Sequence, residues 1–172
     1  YAGIAGGADI ILLPEIPYDI DVVVDAIKKR TKAGKNFTIL AVAEGAISKE
    51  DAALTKKELK EKKKSSPVYP SVAYELGAKI TERTGQEVRV TVPGHMQRGG
   101  EPTPCDRVLS TRLGASAAGL IMRGEYGYMV SIKNNEIVNV PLSEAAGKLK
   151  MVDPSCDMIR DAKAIGISFG DE

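Results

Sequence analysis

Arg89-Val-Thr-Val-Pro-Gly-His-Met-Gln-Arg-Gly-Gly100 runs an apolar strand into a glycine-rich turn. The turn carries the single histidine of the chain, His95, with Arg98 three residues later and Arg89 upstream. Alternating valines predict a strand over 88–92. Arginine offers a planar fork of donors and stays charged at cellular pH. Histidine adds a donor whose protonated form a bound dianion favours. Gly94, Gly99 and Gly100 let the backbone approach a ligand closely. Together these groups point to a phosphate held at the end of a strand. The alternative reading is structural, with the glycines shaping a turn and His95 a satisfied buried histidine. Arg98 and the double glycine weigh against it.

Upstream, Ala8-Asp-Ile-Ile-Leu-Leu13 is a short apolar run stopped by Pro14, which predicts a buried strand. Asp19 is the expected cap of a helix to about Ala33, with Ile20, Val23, Val24 and Ile27 on one face and Gly34 as its stop. Residues 37–43 predict a second buried strand, with Glu44-Gly45 at its carboxyl end. From Lys49 to Lys64 lysine and glutamate dominate, and Leu54 and Leu59 are the only large apolar residues. That pattern predicts a solvated helix or surface insertion. A basic patch for a polyanion is the second reading, weakened by Glu50, Asp51, Glu58 and Glu61. Ser65-Ser66-Pro67 is expected to end the stretch. A helix from Ser71 to Arg83 follows, with Val72, Leu76 and Ile80 spaced four apart and Gly85 closing it.

Downstream, Thr103 and Pro104 mark a helix start. Val108, Leu109, Leu113, Ala117, Leu120 and Ile121 give that helix an apolar face, and Gly124 ends it. Residues 128–132 and 137–140, joined through Asn134-Asn135, predict a hairpin. Short helices are expected over 143–149 and 156–164. Strand and helix alternate over residues 8–92, which predicts an α/β fold with a mostly parallel sheet. Ligands of such sheets bind at the carboxyl ends of strands, where Glu44 and the 93–100 loop both fall. Glu44 suits accepting hydrogen bonds from sugar hydroxyls, or it is a solvated strand-end carboxylate or a helix cap. Arg89 has its own structural alternative, a salt bridge to a neighbouring carboxylate.

Composition narrows the function classes. The chain has 172 residues, 43% hydrophobic and 27% charged, as in ordinary globular proteins. A net charge of +1 supplies no bulk electrostatic case for a nucleic acid or a membrane partner. No apolar run of about 18 residues is present to span a bilayer. Cys105 and Cys156 share no short-spaced motif, which with one histidine argues against zinc. Isolated thiols suit a reducing, cytoplasmic setting. There is no GxxxxGK[ST] or GxGxxG loop and no Ser-His-Asp arrangement. Tyr1 to Gly7 reads as the tail of a helix, so a fragment of a longer protein is expected.

The segment Val90-Thr-Val-Pro-Gly-His-Met-Gln-Arg-Gly-Gly-Glu-Pro-Thr-Pro-Cys-Asp-Arg-Val-Leu109 closely resembles the fructose 6-phosphate-binding signature of phosphofructokinases. Gly6 to Glu15 resembles that family's strand after the helix opening with a Met-Gly-Arg motif. Ala41-Val-Ala-Glu-Gly-Ala46 resembles the strand end carrying its sugar-binding glutamate. The Lys49-to-Tyr69 region is longer than in short bacterial ATP enzymes. That insertion and the Leu149-to-Pro154 ending look more like the branch mixing ATP- and pyrophosphate-dependent members.

The resemblance implies a set of roles. Glu44 contacts the fructose hydroxyls, and His95 and Arg98 hold the 6-phosphate. Arg89 reaches the 6-phosphate of a neighbouring subunit's site, which implies a homo-oligomer, dimer or tetramer. Asp9 and Lys35 sit where short bacterial enzymes bind an effector. The implied fold is a phosphofructokinase-like three-layer sandwich, of which this chain is the second half. Residues 1–96 belong to the fructose 6-phosphate domain, 97–147 return to the phosphoryl-donor domain, and 148–172 cross back. The implied activity is the glycolytic phosphorylation of fructose 6-phosphate, using magnesium with ATP or pyrophosphate. The donor loop, the catalytic aspartate and the Met-Gly-Arg motif are expected upstream of Tyr1. No residue here is assigned a catalytic, nucleotide-binding or metal-ligating role. The alternatives are a non-catalytic sugar-phosphate-binding module and a plain interaction domain.

Overall fold

Strand and helix alternate as the apolar spacing requires in a computed structural model that describes residues 1–65 and 69–172. Two compact units divide the chain, Tyr1–Thr91 with Met151–Glu172, and Val92–Lys150. The elements in order are α1 (Ala2–Ala5), β1 (Ile10–Leu12), α2 (Ile20–Lys32), β2 (Leu40–Val42), α3 (Lys49–Ala52), α4 (Lys56–Ser65) and α5 (Val72–Thr84). A 3-10 turn (Gly94–Arg98), α6 (Pro104–Met122), β3 (Tyr128–Lys133), β4 (Glu136–Pro141) and α7 (Leu142–Ala145) make up the second unit. Helix α8 (Asp157–Ala164) follows in the first.

In the first unit β1 and β2 pair in parallel, with Ile10 opposite Leu40 and Leu12 opposite Val42. Ser168 bridges Ile10 on the other side of β1, again in parallel. Side chains alternate across a strand, so β1 feeds two cores. Ile10 and Leu12, both fully buried, pack with Val23 and Ile27 of α2 and Leu76 and Ile80 of α5. Ile11 joins Ile159 and Ala162 of α8 and Phe169 on the opposite face. Helices therefore cover both faces, which is why β1 reads as an uninterrupted apolar run. Local chemistry sets the helix ends. The Asp19 side chain accepts the Asp21 N–H at the start of α2, and Gly85 ends α5 at φ +69.

Glu44 sits where this sheet delivers it. Ala43 extends the β2 pairing by donating to the Leu12 carbonyl at 3.0 Å, and Ala46 turns back to donate to Ala43 at 3.0 Å. A Cβ on Gly45 would meet Pro14 Cγ at 3.0 Å, so the loops after β1 and β2 lie against each other.

The strand expected over 88–92 does not form. Val88 to Thr91 run without a ladder, and a cavity of about 550 Å³ lies between them and Leu40 and Val42 of β2. Paired strands stand about 4.8 Å apart, which leaves no room for such a gap. The segment rests instead on α5, where Gly77 faces Val88 and Val90. Strand β2 is also shorter than expected, with Phe37 71% exposed. The lysine-rich stretch is helical and solvated, and Lys62 pairs with Asp51 at 2.5 Å. Its expected end at Ser66-Pro67 lies outside the described residues.

In the second unit β3 and β4 form an antiparallel hairpin from Tyr128–Pro141 to Lys133–Glu136. Asn134 and Asn135 take φ of 51° and 65°, the left-handed pair that a two-residue hairpin turn demands. Arg112 of α6 clamps this turn, donating to the Asn135 carbonyl at 2.7 Å. The apolar face expected on α6 is present but mostly uncovered. Leu120 is buried, while Val108 and Ile121 are 61% and 62% exposed. The hairpin reaches only part of that face.

Candidate functional site

His95 and Arg98 share one 3-10 turn, Gly94–Arg98, in the second unit. Three residues per turn bring positions i and i+3 onto one side, so the imidazole and the guanidinium project together. Gly94 at φ +55 and Gly100 at φ +89 occupy the left-handed region and bracket the turn. Both side chains are exposed. Among the described residues neither has a hydrogen-bond or ion partner, so their donors are available to an anion. The buried, satisfied histidine of the structural reading is not what the turn presents.

Helix α6 starts six residues beyond Arg98, on a complete capping box. Thr103 Oγ1 accepts the Asp106 N–H at 3.2 Å, and the Asp106 carboxylate accepts the Thr103 N–H and hydroxyl at 2.8 and 2.7 Å. These hydrogen bonds from Thr103 hold the Asp106 carboxyl below its usual range. The first turn thus already carries a negative charge against the helix dipole. A Thr103→Ala substitution in the full-length protein is expected to cost about 1 kcal/mol of stability. Chemical denaturation checks this, and an unchanged midpoint would show that the box holds nothing.

In the first unit, Glu44 stands in an exposed turn just past the carboxyl end of β2. Among the described residues its carboxylate is unpartnered, as a group awaiting hydroxyl donors would be. In the loop after β1, Glu15 Oε1 accepts the Val152 N–H at 2.9 Å and ties the C-terminal segment to that loop. Arg89 lies on the 88–91 segment, where its Nε donates to Glu87 Oε1 at 2.9 Å. The neighbouring-carboxylate alternative is therefore realised, but with side chains 86% and 74% exposed. Such a surface pair is weak and readily exchanged for a stronger anion.

Asp9 does not stand free. Arg30 Nη1 lies 2.9 Å from Asp9 Oδ1, and Asp9 Oδ2 accepts the Ile39 N–H at 2.8 Å. Both oxygens tie the start of β1 to α2 and to the lead-in of β2. The signal that sequence reading missed was Arg30, one turn before Lys35. Among the described residues no three His, Cys, Asp or Glu side chains are placed to hold a metal.

The chain has clear relatives among known proteins. Residues 1–121 match the family model described as Phosphofructokinase. The chain is 50% identical over 171 residues to the ATP-dependent 6-phosphofructokinase of Spirochaeta thermophila, covering 99% of this chain and 46% of that protein. The phosphofructokinase structure from Saccharomyces cerevisiae superposes with a TM-score of 0.57 at 28% identity, over 84% of this chain and 18% of that one. A pyrophosphate-dependent phosphofructokinase structure from Nitrosospira multiformis gives a TM-score of 0.64 at 19% identity, over 95% and 41%. The last likeness bears on fold alone. The chain spans about half the length of the curated relatives it matches.

Proposed function

The chain belongs to the phosphofructokinase family, and on that premise we propose that it supplies the sugar-phosphate side of an ATP-dependent 6-phosphofructokinase. The observation that carries the reading is the 3-10 turn that holds His95 and Arg98 three residues apart, with no partner for either among the described residues. A doubly charged phosphate ester suits two convergent cationic donors, one of them permanently charged. Glu44, unpartnered at the end of β2, accepts hydroxyls of the fructose ring. Arg89 releases Glu87 and takes the 6-phosphate of a neighbouring subunit's site, in a homo-oligomer. Residues 1–96 form part of the fructose 6-phosphate domain, 97–147 belong with the donor domain, and 148–172 return. Support for ATP comes from a relative, since an ATP-dependent protein is 50% identical over 99% of this chain.

The part these residues play in the reaction is positioning. Phosphoryl transfer depends on in-line placement of the sugar hydroxyl and on charge stabilisation, not on covalent work by the protein. Magnesium and the donor loop would supply the charge stabilisation from outside this chain. Held by its 6-phosphate, the sugar presents its far end, carbon 1, in one orientation. The soluble, cytoplasmic setting of glycolysis fits a chain in which, among the described residues, no helix is long and apolar enough to cross a membrane.

The test is an assay of the full-length protein with fructose 6-phosphate and ATP, followed as fructose 1,6-bisphosphate. Product is expected from the full-length protein and none from residues 1–172 alone, which contain no donor loop. Transfer by the purified 1–172 chain, free of host enzyme, would overturn this assignment of parts. A full-length protein that binds fructose 6-phosphate without turnover would instead support a binding module.

A further inference from the structure

Arg89 sits on a segment that no strand ladder holds, so something else must fix its place. The contact beneath it is Gly77, buried in the middle of α5. A Cβ at that position would stand 3.2 Å from Val88 Cγ1 and 3.3 Å from Val90 Cγ2. Gly77 is not among the glycines with positive φ, so the backbone does not require it. Glycine inside a helix is also less favourable than alanine. The missing side chain is what the site uses. Residues alternate along an extended segment, so Val88 and Val90 face α5 while Glu87 and Arg89 face away. The Arg89–Glu87 pair on the outer face agrees with that register.

We propose that Gly77 is a positioning residue for the sugar phosphate, its bare backbone seating Val88 and Val90 and thereby placing Arg89. This rests on the reading of Arg89 as a phosphate contact. Valine has a stiff χ1, so an added methyl at 77 is relieved by moving the 88–90 backbone rather than by rotating a side chain. A shift of a few tenths of an ångström is what these distances demand. Fork-to-phosphate hydrogen bonds are short and directional, and such a shift weakens them.

The experiment uses the full-length enzyme with Gly77→Ala, Val90→Ala, their combination, and Arg89→Ala as reference. Gly77→Ala is expected to raise the fructose 6-phosphate KM about fivefold while kcat and the ATP KM stay within about twofold. Adding Val90→Ala removes one of the two methyls that clash, the other being on Val88, and should return the KM part of the way to the wild-type value. Parallel losses in kcat, both KM values and thermal stability would mean a merely structural glycine and overturn the proposal. So would a double variant no better than Gly77→Ala. Should Gly77→Ala fail to yield soluble enzyme, Val90→Ala alone loosens the same seat. An unchanged fructose 6-phosphate KM there overturns the proposal equally. If Arg89→Ala itself leaves that KM unchanged, the phosphate reading fails, whereas an effect of Arg89→Ala beside a silent Gly77→Ala removes only the seat.

Discussion

A full-length enzyme carrying Arg98→Ala should lose fructose 6-phosphate affinity by about ten- to a hundredfold, because a charge-assisted hydrogen bond contributes about 1.5–3 kcal/mol. The ATP KM should move far less, since Arg98 acts on the sugar phosphate alone. The size of the effect follows from the geometry of the turn. Arg98 and His95 stand three residues apart on the Gly94–Arg98 turn, and among the described residues no carboxylate neutralises either one. Removing the guanidinium leaves the phosphate dianion to His95 and to Arg89 of a neighbouring subunit, whereas wild-type binding keeps the planar fork of Arg98. Arg98→Lys should fall between the two, retaining a charge but losing the planar fork. Steady-state kinetics with each substrate varied in turn decides the matter. Equal changes in both KM values would place Arg98 outside the sugar-phosphate site.

Much of the fold was legible because its punctuation is local. Asp19 capping α2, Gly85 closing α5, the Thr103-Pro104-Asp106 start of α6 and the Asn134-Asn135 turn all act within a few residues of themselves. The failures are non-local. Val88 to Val92 has strand composition, but strand propensity describes fitness for a pleated, half-buried surface rather than a partner. Whether Val90 pairs with β2 or rests on α5 depends on Gly77, more than ten residues earlier. The apolar positions of α6 were read correctly as a face, yet periodicity cannot say what covers it, and the hairpin covers only part. The site divides in the same way. Residue types and spacing singled out His95 and Arg98, but their common direction comes from a 3-10 turn that glycine content does not specify. Asp9 looked available because its consumer, Arg30, arrives from a different element.

The same distinction between local and assembled features governs Arg89. Its side chain is almost fully exposed and, among the described residues, held only by Glu87 two residues away, a pair that solvent screens and a dianion can displace. An arginine so placed is suited to completing a site on another copy of the chain. Consider two full-length variants, Arg89→Ala and His95→Ala, each nearly inactive at low fructose 6-phosphate, combined in one oligomer. If each site takes His95 from one subunit and Arg89 from its partner, a mixed pair holds one intact site and one doubly defective site. Random assembly of equal amounts makes half of the pairs mixed, so about a quarter of wild-type activity should return. Neither parent alone can supply it, because every site in each parent lacks the same group. The recovered activity should show the wild-type fructose 6-phosphate KM, since the intact sites are chemically unaltered. That is the reading a general stabilising effect of co-expression would not produce. Mixed oligomers no more active than their parents, while both variants still assemble, would confine Arg89 to its own subunit or remove it from the site.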